Sequence, residues 1–136
     1  MDFREYQEKA RTTKIYPTIK QLVVSAMRRA GHDDSADALE NMRLPDVDCN
    51  PYHAALGLGE TGEIQNKVKK INRDDNGLIS EERRQAIAQE LGDLLWYVAI
   101  MCDELNLDMQ AVAEGNIQVL ESRQKRGTLK GDGDNR

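Results

Sequence analysis

Residues 80–105, SEERRQAIAQELGDLLWYVAIMCDEL, decide the fold class. Ile87, Leu91, Leu94, Val98, Met101 and Leu105 recur there at alternating steps of three and four, the period of a helix packed antiparallel on a neighbour. Ser80 is a good N-cap, and Glu81 and Glu82 lie at the end of the helix dipole that favours negative charge. The spacing predicts one helix from residue 81 to about residue 105. Its longest uninterrupted apolar run, residues 94–102, lies between Asp93 and Asp103 and is half of what a bilayer span requires.

On the C-terminal side, Asn106-Leu107-Asp108 reads as a short connection. It leads to a last helix over about residues 109–124, expected to bury Met109, Val112, Ala113, Ile117 and Leu120. On the N-terminal side, Asp74-Asp75-Asn76-Gly77 is a turn, preceded by a longer helix over about residues 51–71. Ile19, Leu22, Val23, Ala26, Met27 and Ala30 mark a further helix, with Pro17 in its first turn and Gly31 at its end. Residues 32–50 are polar and broken, with one short helix over 36–42 capped by Ser35. No alternating apolar–polar run announces a strand. The expected fold is all-α, an antiparallel helix bundle forming one domain over residues 1–136. Residues 18–49 are an unplaced insertion or cap, and residues 127–136 are expected to be a mobile tail.

Composition narrows the function classes. The 136 residues are rich in Leu, Ile, Val, Met and Ala but only 4% aromatic, so the core is modest and further burial between subunits is expected. Nineteen basic residues against 24 acidic ones give a net charge of −5, which argues against a nucleic-acid binder. The charged N-terminus, MDFREYQEKA, has no secretory core, and Cys49 and Cys102 have neither CxxC spacing nor enough partners for a disulfide framework. The chain reads as cytoplasmic, with no membrane partner.

The chemistry lies in two acidic pairs. Glu60 and Glu63 are three apart, as are Glu90 and Asp93, so within a helix each pair shares one face. Two such helices packed antiparallel bring four carboxylates together, and clustered anions are tolerated only with cations between them. An oxygen-only cage suits Mg²⁺ or Mn²⁺. The helical Glu-x-x-His pairs of di-iron centres are missing. On a helical wheel with Glu90 at zero, Ile87, Leu94, Val98 and Leu105 fall at about 40–80°, Asp93 at about −60° and Tyr97 at about −20°. These polar groups border the apolar stripe, whereas solvated acids usually sit opposite it.

The competing reading is a pair of surface acids laced to nearby bases, Glu63 with Lys67 at i, i+4 being an example. Gly57, Gly59 and Gly62 interrupt the same helix, each at a cost of about 1 kcal/mol relative to Ala. They leave room for a ligand or another helix. Asn116 falls on the stripe of Met109, Val112, Ala113 and Leu120, where an apolar residue is the default and a buried amide needs partners.

Gly57-Leu58-Gly59-Glu60-Thr61-Gly62-Glu63, followed by Glu90-Leu91-Gly92-Asp93-Leu94-Leu95-Trp96-Tyr97, resembles the ExxE…ExxD pattern of the MazG-like nucleoside triphosphate pyrophosphohydrolases. The resemblance extends to Tyr6 through Thr12, to Tyr16-Pro17, and to Asn116 through Leu120 with Arg123 to Gly127. It implies an all-α enzyme whose Mg²⁺ ligands are Glu60, Glu63, Glu90 and Asp93. It further implies that Tyr97 contacts phosphate, that Asn116 lies near the phosphates, and that Arg123 and Arg126 are basic binding positions. Relatives form dimers or tetramers, which implies a homodimer or homotetramer here. Two departures stand out: the family's lysine three residues after the asparagine is Val119, and residues 18–49 match nothing in the pattern.

The reaction implied converts a nucleoside triphosphate to its monophosphate and pyrophosphate by attack of water on the α-phosphorus. Glu63 is the candidate general base, and Lys67, Lys70, Arg123 and Arg126 are candidates for the leaving pyrophosphate. Two other readings compete: a phosphoribosyl-ATP pyrophosphohydrolase, and a helical interaction or regulatory protein without catalysis.

Overall fold

The computed structural model describes residues 1–45 and 47–130, and among these the chain forms seven α-helices and one 3₁₀ turn, with no strand. The helix expected over 81–105 forms as α6, Glu81–Glu104, with the Ser80 hydroxyl accepting the Arg83 N–H at 3.2 Å. It is the axis of the molecule. Helices α1 (Phe3–Thr12), α4 (Pro51–Gly57) and α5 (Thr61–Asp74) pack on it, α2 (Ile19–Arg29) and α3 (Asp33–Asn41) pack on one another, and α7 (Met109–Lys125) packs on α1. The turn after α5 forms as its residues demand, with Asn76 and Gly77 at φ +52° and +80°.

Several expectations are corrected. The helix expected over 51–71 is broken into α4, a 3₁₀ turn at Leu58–Glu60, and α5. Poor helix formers at Gly57, Gly59 and Gly62 weaken this stretch, and the Tyr97 ring lies against Gly57 so closely that an added Cβ would come within 1.9 Å of Cε1. The short helix begins at Asp33 behind His32, without a side-chain cap and not behind Ser35; Asp33 and Asp34 instead favour its first turn through their charge. Thr18 caps α2 and leaves Pro17 outside it. Residues 3–12 add a helix closed by a capping box between Asp2 and Glu5. Most of the expected mobile tail, residues 131–136, lies outside the described residues.

Two corrections concern burial. The core of α6 is Ala99, Ile100 and Cys102, packed with Ala10, Ala54 and Met109. The periodic row meets that core only in part: Val98 and Met101 pack against it half-buried, whereas Leu91 is 51% and Leu105 48% exposed. In α7 only Met109 is buried, while Val112, Ile117 and Leu120 are exposed. Beyond its first turn this helix has little of its own chain to pack against.

Polar groups fasten the ends. The buried Gln7 amide donates to the Leu107 carbonyl at 2.8 Å, and its oxygen accepts the Met109 N–H at 2.9 Å, tying α1 to the α6–α7 connection. The Glu104 carboxylate, at the end of α6, accepts Lys14 Nζ at 2.8 Å, the Tyr16 hydroxyl at 2.5 Å and the Asn50 N–H at 2.5 Å. Asn50 also donates to the Pro17 carbonyl at 2.8 Å and caps α4 by accepting the His53 N–H at 3.2 Å. Beside it, Ile19 N–H to Cys49 C=O at 2.9 Å and Lys20 N–H to Val47 C=O at 2.8 Å draw together the two ends of the α2–α3 hairpin.

Burial opposes the ionisation of Glu104, but the bonds from Lys14, Tyr16 and Asn50 outweigh it and hold the carboxyl below its usual range. Burial and the bond to Glu104 push the Tyr16 hydroxyl up. A depressed folded-state value means that Glu104 stabilises the fold fully above its ordinary value of 4.5, and that this contribution is lost as pH falls through the folded value. Glu104→Gln should therefore cost about 1–3 kcal/mol at neutral pH, as partners lose a charged acceptor. Urea unfolding of both proteins should show the gap narrowing below pH 4.5. Gly57→Ala should cost a further, independent ~1–3 kcal/mol by forcing the Tyr97 ring aside, read as a lowered Tm.

Candidate active site

Helix α6 and the segment running from α4 through the 3₁₀ turn into α5 lie side by side in opposite directions. Two contacts fix that register. At one end the Tyr97 ring packs on Gly57. At the other, Lys67 Nζ meets Glu90 Oε1 at 3.1 Å. Glu60 and Glu63 fall between these contacts on one strand of the seam, and Asp93 falls between them on the other. The two helical segments that carry the four acids therefore lie side by side, with Glu60 and Glu90 half-buried and Glu63 and Asp93 exposed.

Lys67 crosses the seam to Glu90, where simple helical spacing suggested Glu63 as its partner. The ammonium neutralises Glu90. Among the described residues, no three His, Cys, Asp or Glu side chains stand close enough to hold a metal ion. The donor chemistry fits one nonetheless: four carboxylates and no sulfur or imidazole suit Mg²⁺ or Mn²⁺. Gly59 and Gly62 leave the acidic surface open, since a Cβ on either would meet nothing within 4 Å.

Around the seam the aromatic groups are structural supports with one exposed edge. Tyr97 is half-buried, on Gly57 and edge-to-face with Trp96 at 4.9 Å. The Trp96 Nε1–H donates to Thr13 Oγ1 at 2.8 Å, which ties α6 to the end of α1. Tyr6 lies close enough to Asp93 for that charge to add to the effect of burial in raising its hydroxyl. His53 stacks on Tyr16 with ring centroids 4.0 Å apart, next to the Glu104 cluster.

The remaining expected site residues, Asn116, Arg123 and Arg126, are on α7 or at its end, and α7 packs on α1, not along α5 or α6. Asn116 is exposed, so the expectation of a buried amide there is corrected. Arg126 donates to Ser122 Oγ, and the Arg123 carbonyl accepts the Thr128 N–H at 2.9 Å as the helix closes. Glu104, with Lys14, Tyr16 and Asn50, is the cluster that sequence reasoning missed. Its signal was present, since Glu104 falls at about −40° on the same wheel, between Asp93 and Tyr97.

A family model for the MazG nucleotide pyrophosphohydrolase domain matches residues 53–128, which takes in the whole seam and α7. The chain is 39% identical to the Gene 37 protein of Mycobacterium phage L5 over 132 residues, 96% of each chain. No solved structure matches it. Among the described residues no helix is long and apolar enough to cross a membrane. Enzymes of the matching family generally use divalent metal ions. With both its ExxE and its ExxD segment inside the matched residues, the chain belongs to the MazG nucleotide pyrophosphohydrolases, hydrolases that act on phosphoric anhydride bonds.

Proposed function

We propose that the protein hydrolyses a nucleoside triphosphate, ribo- or deoxyribo-, to the monophosphate and pyrophosphate, with Mg²⁺ (Mn²⁺ as a substitute) held by Glu60, Glu63, Glu90 and Asp93. The observation that supports this reading is the pair of contacts, Gly57–Tyr97 and Lys67–Glu90, that sets the ExxE and ExxD segments side by side. A bound divalent ion supplies positive charge at the polyphosphate and makes nearby water more acidic. The oxygen of a water forms a bond to the α-phosphorus while the bond to the bridging oxygen breaks and its electrons leave with pyrophosphate. Glu63, exposed on the seam, takes the proton from that water. Lys67 is held near the phosphates by Glu90, and Tyr97 offers its hydroxyl from the Gly57 end. Asn116, Arg123 and Arg126 contact the phosphates.

The half-exposed apolar rows on α6 and α7 support a homo-oligomer, a dimer or a tetramer. Sedimentation should find no stable monomer at micromolar concentration.

Glu60→Gln and Asp93→Asn should each lower turnover at least about a hundredfold, or about 2.7 kcal/mol, while leaving the fold intact. Repulsion relieved between the acids should keep the metal-free Tm level or raise it. Wild-type turnover in both variants would remove the acids from the mechanism. Hydrolysis in ¹⁸O-labelled water should put the label in the nucleoside monophosphate; label in orthophosphate would mean attack at the γ-phosphorus instead. Asn116→Ala should lower kcat/KM at least about tenfold with little change in Tm, because the side chain is exposed and its proposed partner is the substrate. A large fall in Tm with normal turnover would assign Asn116 to the scaffold.

A further inference from the structure

Glu104 reaches α4 by two routes. Its side chain, 1% exposed at the end of α6, accepts the N–H of Asn50, the residue that caps α4, at 2.5 Å. It also accepts the Tyr16 hydroxyl at 2.5 Å, and the Tyr16 ring stacks on His53, in the first turn of α4, with centroids 4.0 Å apart. Lys14, at 2.8 Å, supplies the opposite charge that a carboxylate buried this deeply requires.

The other end of α4 is attached where the Tyr97 ring rests on Gly57. The two spacings match. Asn50 to Gly57 is seven residues, and Tyr97 to Glu104 is seven residues in the opposite sense along α6. Seven residues are two helical turns, about 10 Å, so Tyr97 and Glu104 share one side of α6 and meet the two ends of one short helix. Two attachments at equal spacing set the axial register of α4 on α6; a single one leaves the short helix free to pivot about it. Past Gly57 the chain turns through Leu58–Glu60 and carries Glu60 and Glu63 onward into α5. The register of α4 is therefore where the alignment of the ExxE segment with the ExxD segment begins. Ligands of a metal ion must be held to within about 0.5 Å, and Mg²⁺ in particular demands near-ideal octahedral geometry.

We infer that Glu104 is a positioning residue for the reaction: by holding Asn50 and Tyr16 it fixes the register of α4 on α6, and thereby the affinity of Glu60, Glu63, Glu90 and Asp93 for a divalent ion. This inference rests on the metal-dependent pyrophosphohydrolase reading of those acids and adds the group that aligns them from outside the site.

The test compares Glu104→Ala with Gln7→Ala, which removes a different buried polar tie, between α1 and the α6–α7 connection, without touching α4. Both are studied at a temperature where circular dichroism shows them folded. Mn²⁺ binding to the metal-free proteins is followed by loss of the free-ion electron paramagnetic resonance signal. Glu104→Ala should weaken it at least about tenfold, and Gln7→Ala less than about twofold. With an equimolar mixture of dATP, dCTP, dGTP and dTTP, Glu104→Ala should need at least about tenfold more Mg²⁺ for half-maximal pyrophosphate release, yet regain most of kcat at saturating Mg²⁺. Lowered stability alone moves neither quantity. Should Glu104→Ala not fold, Glu104→Gln, which keeps an acceptor for Asn50, carries the same comparison with a shift of about threefold. Equal Mn²⁺ affinity in the Glu104 and Gln7 variants overturns the inference.

A second measurement needs no metal, and so separates a failure of the alignment from a failure of the chemistry. Amide hydrogen exchange over residues 51–63 of the metal-free protein should quicken at least about tenfold in Glu104→Ala and stay near wild type in Gln7→Ala. Unchanged exchange there overturns the role of Glu104 whatever the metal does. Quickened exchange with a wild type that binds no Mn²⁺ would leave the alignment standing and overturn the metal reading of the acids.

Discussion

The Glu104 carboxylate is the point on which the positions of the other segments depend. It sits at the C-terminal end of α6 with its side chain almost wholly buried, and Lys14, Tyr16 and Asn50 all donate to it. Those three residues come from the segment after α1 and from the entrance to α4. One buried charge therefore fastens two remote parts of the chain to the central helix. An isolated carboxylate would be driven to protonate by such burial; here three donors reverse that tendency. Because Asn50 is both a donor to Glu104 and the cap of α4, the same cluster sets where the segment leading to Glu60 begins.

From that origin the seam follows by packing. Gly57 lets the Tyr97 ring lie directly on the backbone, and the turn that follows carries Glu60 to the edge of α5. Further along, Lys67 reaches across to Glu90. The segments that carry the acids are thus held by the Tyr97 ring on Gly57 at one end and by the Lys67–Glu90 ion pair at the other. The space over Gly59 and Gly62 is open.

The α2–α3 hairpin illustrates a different economy. Its two helices pack on one another, and backbone bonds of Ile19 and Lys20 to Cys49 and Val47 join its ends. A segment whose ends meet in this way closes its loop locally. Tyr16 and Asn50, immediately outside the hairpin, then meet at Glu104.

The sequence by itself determined the helical class, the limits of α6 and α7 to within a residue or so, the turn at Asn76-Gly77, and the acid spacing that identifies the family. These are local properties: helical period, capping residues and three-residue steps act within a turn or two of the chain. Tertiary structure decided which surfaces were buried. The row from Ile87 to Leu105 announced an apolar face, but periodicity cannot say how much of that face its own chain covers, and here Val98 and Met101 pack on the core while Leu91 and Leu105 are left exposed. Asn116 was misread as buried for the same reason. The pairing of Lys67 with Glu90 over Glu63, and the meeting of Glu104 with residues 54 to 90 positions away, also depended on how helices pack across long stretches of sequence. A single charged residue near an apolar stripe carries no mark of its distant partner; only the fold supplies that partner, and with it the reason the charge can be buried.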